Sequence, residues 1–338
     1  MLTALGVSAD CTEDCFDAPE WRRLLEHDPT RHIFATPEWG RTWWEEFKQG
    51  KDLFILRAWR QDEVVAVIPL YRKQEEGRRV LRFVGGIDLT DYLGPVCSRA
   101  DRDDVAAALA SWLRSTDVAW DELDAHNMPV PMGFAEYLVD QSDRAGLSFE
   151  LDQEETAAVL VLPSDWDTYL ANLNKKQRHE LRRKIRRLGS EYPDAGIRRA
   201  TPESLEADLQ TFFDMHRGAQ GHKGHFMNLE IASFFTRIAR AFMPLGWMRL
   251  DLLEAQGVCL AATFSFEYNN RFYLYNSAFE PAASSVSPGL VLVAQLLQRA
   301  IEEGLERFDF LRGPERYKYQ LGAQAVPLNN VRVFRGRE

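Results

Sequence analysis

Ser287-Pro288-Gly289-Leu290 follows a run of small residues and opens a long apolar segment. Pro288 suits the first position of a helix, and Gly289 leaves room for a ligand against the backbone. The unpaired amides and the dipole of such a helix start favour an anion, above all a phosphate. An ordinary helix start is spelled the same way, so both readings stand. His216 and Arg217 end another helical stretch, just before Gly218-Ala219-Gln220-Gly221-His222-Lys223-Gly224-His225. His216 is the first choice for a general base, because imidazole titrates near neutral pH. A half-buried helix histidine is the alternative. Arg217 and Lys223 supply cations for a substrate beside that Gly-rich loop. His216, His222 and His225 have neither an HExxH spacing nor a nearby Cys, so no metal is expected.

Asp309 precedes Arg312-Gly313 on a short apolar run. It reads either as an acid–base group or as a buried carboxylate paired with Arg312. Arg312 is otherwise a substrate contact. Glu315 falls in the first turn of the last helical stretch, where an acid suits the dipole and where a base is also conceivable. The densest charge lies elsewhere. Residues 175–187 hold eight Lys/Arg and one Glu, a local +7 in a chain of net charge −10, so the remainder carries −17. Such a run is a solvated face, or a cradle for a phosphate-bearing acceptor, or a contact for an anionic membrane surface.

The elements that must hold these groups follow from pattern. Thr36-Pro37-Glu38 starts a helix through Phe47. Residues 53–59 and 64–71 read as a strand pair around a polar turn, 80–84 and 120–125 as further strands, and 101–113 as a helix. From about residue 155 the pattern returns. Residues 157–162 are a strand, Ser164 caps a helix, and the basic stretch carries Leu181, Ile185 and Leu188 on one stripe. Thr201-Pro202-Glu203 starts the helix ending at His216. Residues 247–253, 258–268 and 272–278 read as strands, 288–303 as a helix apolar almost all round, 308–311 as a strand and 314–321 as a helix. Each half thus reads as helix, antiparallel strands, helix, strand, which suggests an internal duplication.

The 338 residues predict two domains at about 150 residues each. Hydrophobic residues at 45% and charged residues at 27% exclude a disordered or collagen-like chain. Cys11, Cys15, Cys97 and Cys259 are too scattered for a disulfide framework and read as structural in a reducing cytoplasm. The acidic balance argues against duplex DNA. No apolar run has membrane-spanning length, and the start lacks a secretory pattern. No G-x-S-x-G or P-loop motif is present, so esterase and NTPase chemistry lack support.

SPGLVLVAQLLQRAIEEGLERFDFLRGPERYKYQLGA, residues 287 to 323, resembles the cellulose-biosynthesis-associated acetyltransferase branch of the GNAT superfamily. That branch is similar in turn to the Fem peptidyltransferases, through Phe308-Asp309-Phe310, Tyr317-Lys318 and Gly322. The resemblance covers most of the second half and extends to Pro37-Glu38-Trp39. It implies an α/β (α+β) fold of tandem GNAT-like domains, each a mixed, mostly antiparallel sheet flanked by helices. Residues 1–155 would be a degenerate domain and 156–338 the catalytic one. It implies direct transfer of an acyl group, acetyl first, from acyl-CoA to an amine or hydroxyl of a small molecule or a saccharide or envelope precursor. Ser287, Pro288, Gly289 and Leu290 would hold the pyrophosphate. Tyr275, Asn276 and Ser277 would bind the thioester where their strand opens. Tyr317 would be the acid for the leaving thiolate, and Lys318 a cation near the reacting centre. The pyrophosphate loop has one Gly where the usual Arg/Gln-x-x-Gly-x-Gly/Ala pattern has two.

The corresponding first-half helix opens with Asp101, Asp103 and Asp104, which would repel a phosphate, so the chemistry is expected in the second half with the acceptor in a cleft between the halves. Two alternatives remain. One is a Fem-like aminoacyl transferase, whose transfer RNA the basic stretch would hold; the chain shows no long heptad arm of the kind such members carry. The other is a non-catalytic scaffold of polysaccharide biosynthesis.

Overall fold

The computed structural model describes residues 5–28, 30–218 and 227–336. Two compact units emerge, one running to Thr156 and joined by the segment from Val326, the other spanning Ala157–Ala325. In the first, strands Gly6–Asp10, Lys51–Arg60, Glu63–Glu75 and Arg78–Phe83 pair antiparallel in that order. Arg78–Phe83 then pairs parallel with Glu122–Pro129, and Gln324–Phe334 closes the sheet antiparallel to it. Helix Arg102–Ser115 makes the crossover that a parallel pair requires.

The second unit repeats this plan. Strands Gly196–Arg199, Met248–Ala255, Val258–Tyr268 and Arg271–Phe279 are antiparallel neighbours. Arg271–Phe279 pairs parallel with Arg307–Arg312, and the end of Ser148–Val161 closes the sheet antiparallel. Helix Pro288–Glu302 is the crossover. The mixed, mostly antiparallel α/β class and the repeated plan are those expected. The closing strands are exchanged in sequence, however: the strand closing the first sheet is the last of the chain, so residues 326–334 pair with the first unit.

Local chemistry explains most element starts. Thr36 Oγ1 accepts from the Trp39 amide, with Pro37 in the first turn. Asp165 rather than Ser164 caps helix Trp166–Asn172, because its carboxylate takes the Thr168 amide at 2.8 Å while the Ser164 hydroxyl bonds that carboxylate. The helix expected from Thr201 begins at Leu205, since Thr201 and Ser204 bond each other's amides in a preceding turn. The last helix is shorter than expected, Arg316–Gln320.

Two layers cover the second sheet. Helix Pro288–Glu302 buries Leu292, Leu296 and Leu297 on one face, where truncation of any one to Ala would cost about 2–5 kcal/mol. On the other face, Phe212 of helix Leu205–Arg217 and Phe235 of helix Leu229–Phe242 pack with Phe264. The helix starts of the two units differ in chemistry. Asp101 and Asp104 at the start of Arg102–Ser115 are held by Arg60 at 2.7 and 2.8 Å.

Candidate active site

Strands Arg271–Phe279 and Arg307–Arg312 pair only through Tyr273 and Asp309, although both run further. Three local features force them apart. The pairing with Val258–Tyr268 slips between Phe264 and Ser265, leaving Tyr275 as an extra residue. The pairing of Arg307–Arg312 with its antiparallel neighbour shifts between Asp309 and Arg312. Leu311 takes a left-handed φ of 61°, and its amide donates to Asp309 Oδ1 at 3.0 Å. The divergence opens a cavity of about 370 Å³.

Eight of the expected residues line it. Leu274 and Phe310 form apolar wall, and Tyr275, Asn276, Ser277, His216, Arg312, Glu315, Tyr317 and Lys318 supply the chemistry. His216 is buried in the last turn of its helix. Its Nε2 lies 2.6 Å from Asn276 Oδ1. The Ser277 amide donates to the same oxygen at 2.7 Å, which fixes the amide orientation of Asn276. Nε2 therefore carries a proton, and in neutral imidazole the basic lone pair is on Nδ1. The Tyr317 ring meets Phe310 edge-on, and burial, then the Glu315 carboxylate, pushes its phenol pKa well above the usual value.

Lys318 is buried. Its ammonium lies 2.5 Å from the Arg312 carbonyl, 3.3 Å from that of Leu311 and 2.9 Å from Glu315 Oε2. Its three protons are thus directed at the turn that ends the strand, so it organises the wall as well as charging it. Gly313 sits in that turn at φ 118°, and a Cβ there would run into Glu315 Oε2.

Ser287, Pro288, Gly289 and Leu290 line a second cavity of about 320 Å³. It shares Ser277, Glu315 and Tyr317 with the first. Ser287 has φ 53°, and no side chain caps this helix start. Lys184, which the sequence reading did not single out, lines the same space. It lies three residues after Leu181 on the inward side of helix Lys175–Glu191, a position that helical spacing alone could have flagged. Lys184 and Leu290 continue into a third cavity of about 320 Å³, with Leu181, Leu321 and Tyr319 as floor and Lys176 and Arg316 as cations.

The remaining expectations fall elsewhere. Asp309 is fully buried outside the cavity lining and faces Arg271 Nη1 at 3.9 Å. Arg217 is exposed and paired with Asp214 at 3.3 Å, away from the cavity lining. Lys223, His222 and His225 lie outside the described residues.

Against this geometry, residues 175–319 match the family model described as Acetyltransferase (GNAT) domain. The matched stretch lies wholly within the second unit. The matched stretch takes in all three cavities' helices and both diverging strands. Among solved structures, FemX is similar at 12% identity, with 96% of each chain covered and a TM-score of 0.66. A conserved protein of unknown function from Bacteroides thetaiotaomicron matches at 14% identity, 98% of this chain, 100% of that one and a TM-score of 0.61. The C-terminal domain of a candidate lysylphosphatidylglycerol synthetase from Agrobacterium fabrum matches at 12% identity, 96% and 92% coverage, and a TM-score of 0.57. At such identities these likenesses establish the fold. A comparison with curated protein sequences finds no match.

Proposed function

We propose that the GNAT domain moves an acyl group, acetyl first, from acyl-CoA to an amine or hydroxyl of a small molecule or a saccharide or envelope precursor. One observation carries this reading: the three cavities share lining residues in series and change character along their length. The reacting end of the donor belongs in the strand divergence. Beyond Tyr273 the diverging strand edge has left the parallel ladder, so its amides can bond the thioester oxygen or the amides of an extended donor arm. The diphosphate belongs at the uncapped start of helix Pro288–Glu302, beside Lys184. The nucleoside end belongs over Leu181, Leu290 and Leu321, rimmed by Lys176 and Arg316.

In the transfer the acceptor's nitrogen or oxygen attacks the thioester carbonyl, and the carbon–sulfur bond breaks. The thiolate leaves on coenzyme A. Tyr317, kept protonated by its burial, donates a hydrogen bond and then a proton to that sulfur. The acceptor's proton passes to His216 or Glu315, the two bases that line the cavity. The stretch 287–323 further favours the cellulose-biosynthesis-associated branch, and hence a saccharide-related acceptor. Thiol release from acetyl-CoA, followed across a panel of amino sugars, nucleotide sugars and simple amines, tests the proposal. Acceptor-dependent release, reduced in Tyr317→Phe, is expected; no release with any acceptor would sink it.

A second reading draws on the FemX likeness. The same divergence would then receive an aminoacyl ester on transfer RNA. Ribonuclease-sensitive transfer separates it from the first. A non-catalytic scaffold would instead tolerate Gly289→Glu without loss of function.

A further inference from the structure

Helix Lys175–Glu191 divides its residues into two stripes. Leu181 and Leu188 are buried and Ile185 packs with them, so the apolar stripe is committed to the core beside helix Pro288–Glu302. Lys175, Lys176, His179, Arg182, Arg183, Arg186 and Arg187 are exposed. Their spacing puts them on one side of the helix, in a row about 18 Å long. Arg183 is paired with Glu180 at 2.7 Å. Among the described residues, Lys175, Lys176, Arg182, Arg186 and Arg187 have no carboxylate within ion-pair distance. A chain of net charge −10 thus presents one straight row of uncompensated cations.

We propose that this row docks the protein on an anionic lipid surface. A straight, exposed row of cations fits a plane of phosphate headgroups. Single-stranded nucleic acid is generally gripped with aromatic stacking platforms, and this row contains no Phe, Trp or Tyr. Because the apolar stripe is already buried, the helix has nothing to insert among acyl chains, and the contact is electrostatic and reversible by salt. Among the described residues no helix is long and apolar enough to cross a membrane, so attachment at this face would be peripheral. Such docking would set the cavity system, whose Lys176 belongs to both the row and the third cavity, close to the surface.

The test is co-sedimentation of the full chain with vesicles of phosphatidylcholine alone, or of phosphatidylcholine with phosphatidylglycerol, at low and high salt. The comparison variant carries Lys175→Gln, Arg182→Gln, Arg186→Gln and Arg187→Gln, which leave the cavity linings intact. The expected result is binding to the anionic vesicles only, release by salt, and a loss of about fivefold per removed charge in the variant. Failure to bind anionic vesicles, undiminished binding by the variant, or binding of bulk RNA in place of vesicles would overturn the proposal. Because the variant should keep its response to acetyl-CoA, failure here is separable from failure of the acyltransferase reading.

Discussion

His216 Nε2 stands 2.6 Å from Asn276 Oδ1, an oxygen already engaged by the Ser277 amide. One backbone bond thereby decides which nitrogen of the imidazole bears the proton. Nitrogen NMR of the histidine ring should find the Nε2–H tautomer in the neutral state. Asn276→Leu should remove that preference. A dominant Nδ1–H tautomer in the unaltered protein would contradict the assignment of Nδ1 as the basic position.

Lys318 has a structural duty besides its charge. Replacing it with Met leaves the Leu311 and Arg312 carbonyls without their buried donor and releases Glu315. The expected loss is about 2–4 kcal/mol in urea unfolding, in line with orphaned buried acceptors and a broken partly buried pair. A loss below about 0.5 kcal/mol, the size of an ordinary surface change, would show that the turn does not depend on the ammonium.

Gly313→Ala should act on the same turn by a different route. The new Cβ would collide with the Glu315 carboxylate in a backbone conformation that favours glycine. Destabilisation of about 1–3 kcal/mol is expected, together with displacement of Glu315 from the cavity wall. Wild-type stability in this variant would mean that the turn relaxes freely.

The first unit holds a pH-sensitive cluster. Burial pulls the His126 pKa down, but bonds to Asp124 at 2.9 Å and Glu154 at 2.6 Å outweigh it and raise the pKa from 6.5 to about 9. Asp124 shows the converse: burial raises it, and His126 and Arg82 lower it to about 2. A raised imidazole stabilises the fold fully below its unfolded value and loses that contribution as pH climbs through about 9. The Asp124 contribution is present above about 3.8 and lost as pH falls towards 2. The stability gap between wild type and His126→Gln should therefore be wide at pH 6 and narrow above pH 9. A gap independent of pH would refute the imidazolium assignment.

Much of this arrangement was legible in the sequence where local rules govern. Thr36-Pro37 and Pro288 mark helix starts by their own chemistry, and the hairpins follow from alternation and turns. Lys184 could have been read from its offset to Leu181. Other features depend on distant pairing. The strand Gln324–Phe334 has no counterpart among the elements read from pattern, and only the assembled sheet assigns residues 326–334 to the first unit. The divergence at Tyr275 arises from a slip against Phe264 and Ser265, which no single strand encodes. The approach of Arg271 to Asp309 likewise reflects neighbouring parallel strands, not sequence proximity.

In the proposed complex, acyl-CoA lies with its diphosphate at the start of helix Pro288–Glu302. Gly289 has helical geometry, and a Cβ there would make only ordinary contact with Phe279 at 3.5 Å, so Gly289→Glu fills ligand space without demanding a change of fold. The decisive measurement is a thermal-unfolding titration with acetyl-CoA, longer acyl-CoAs and free coenzyme A, on wild type, Gly289→Glu and Lys184→Glu. A ligand that binds the folded state alone raises Tm by mass action. A saturable rise in wild type that both variants lose is expected. No rise with any thioester, or an equal rise in all three proteins, would contradict it.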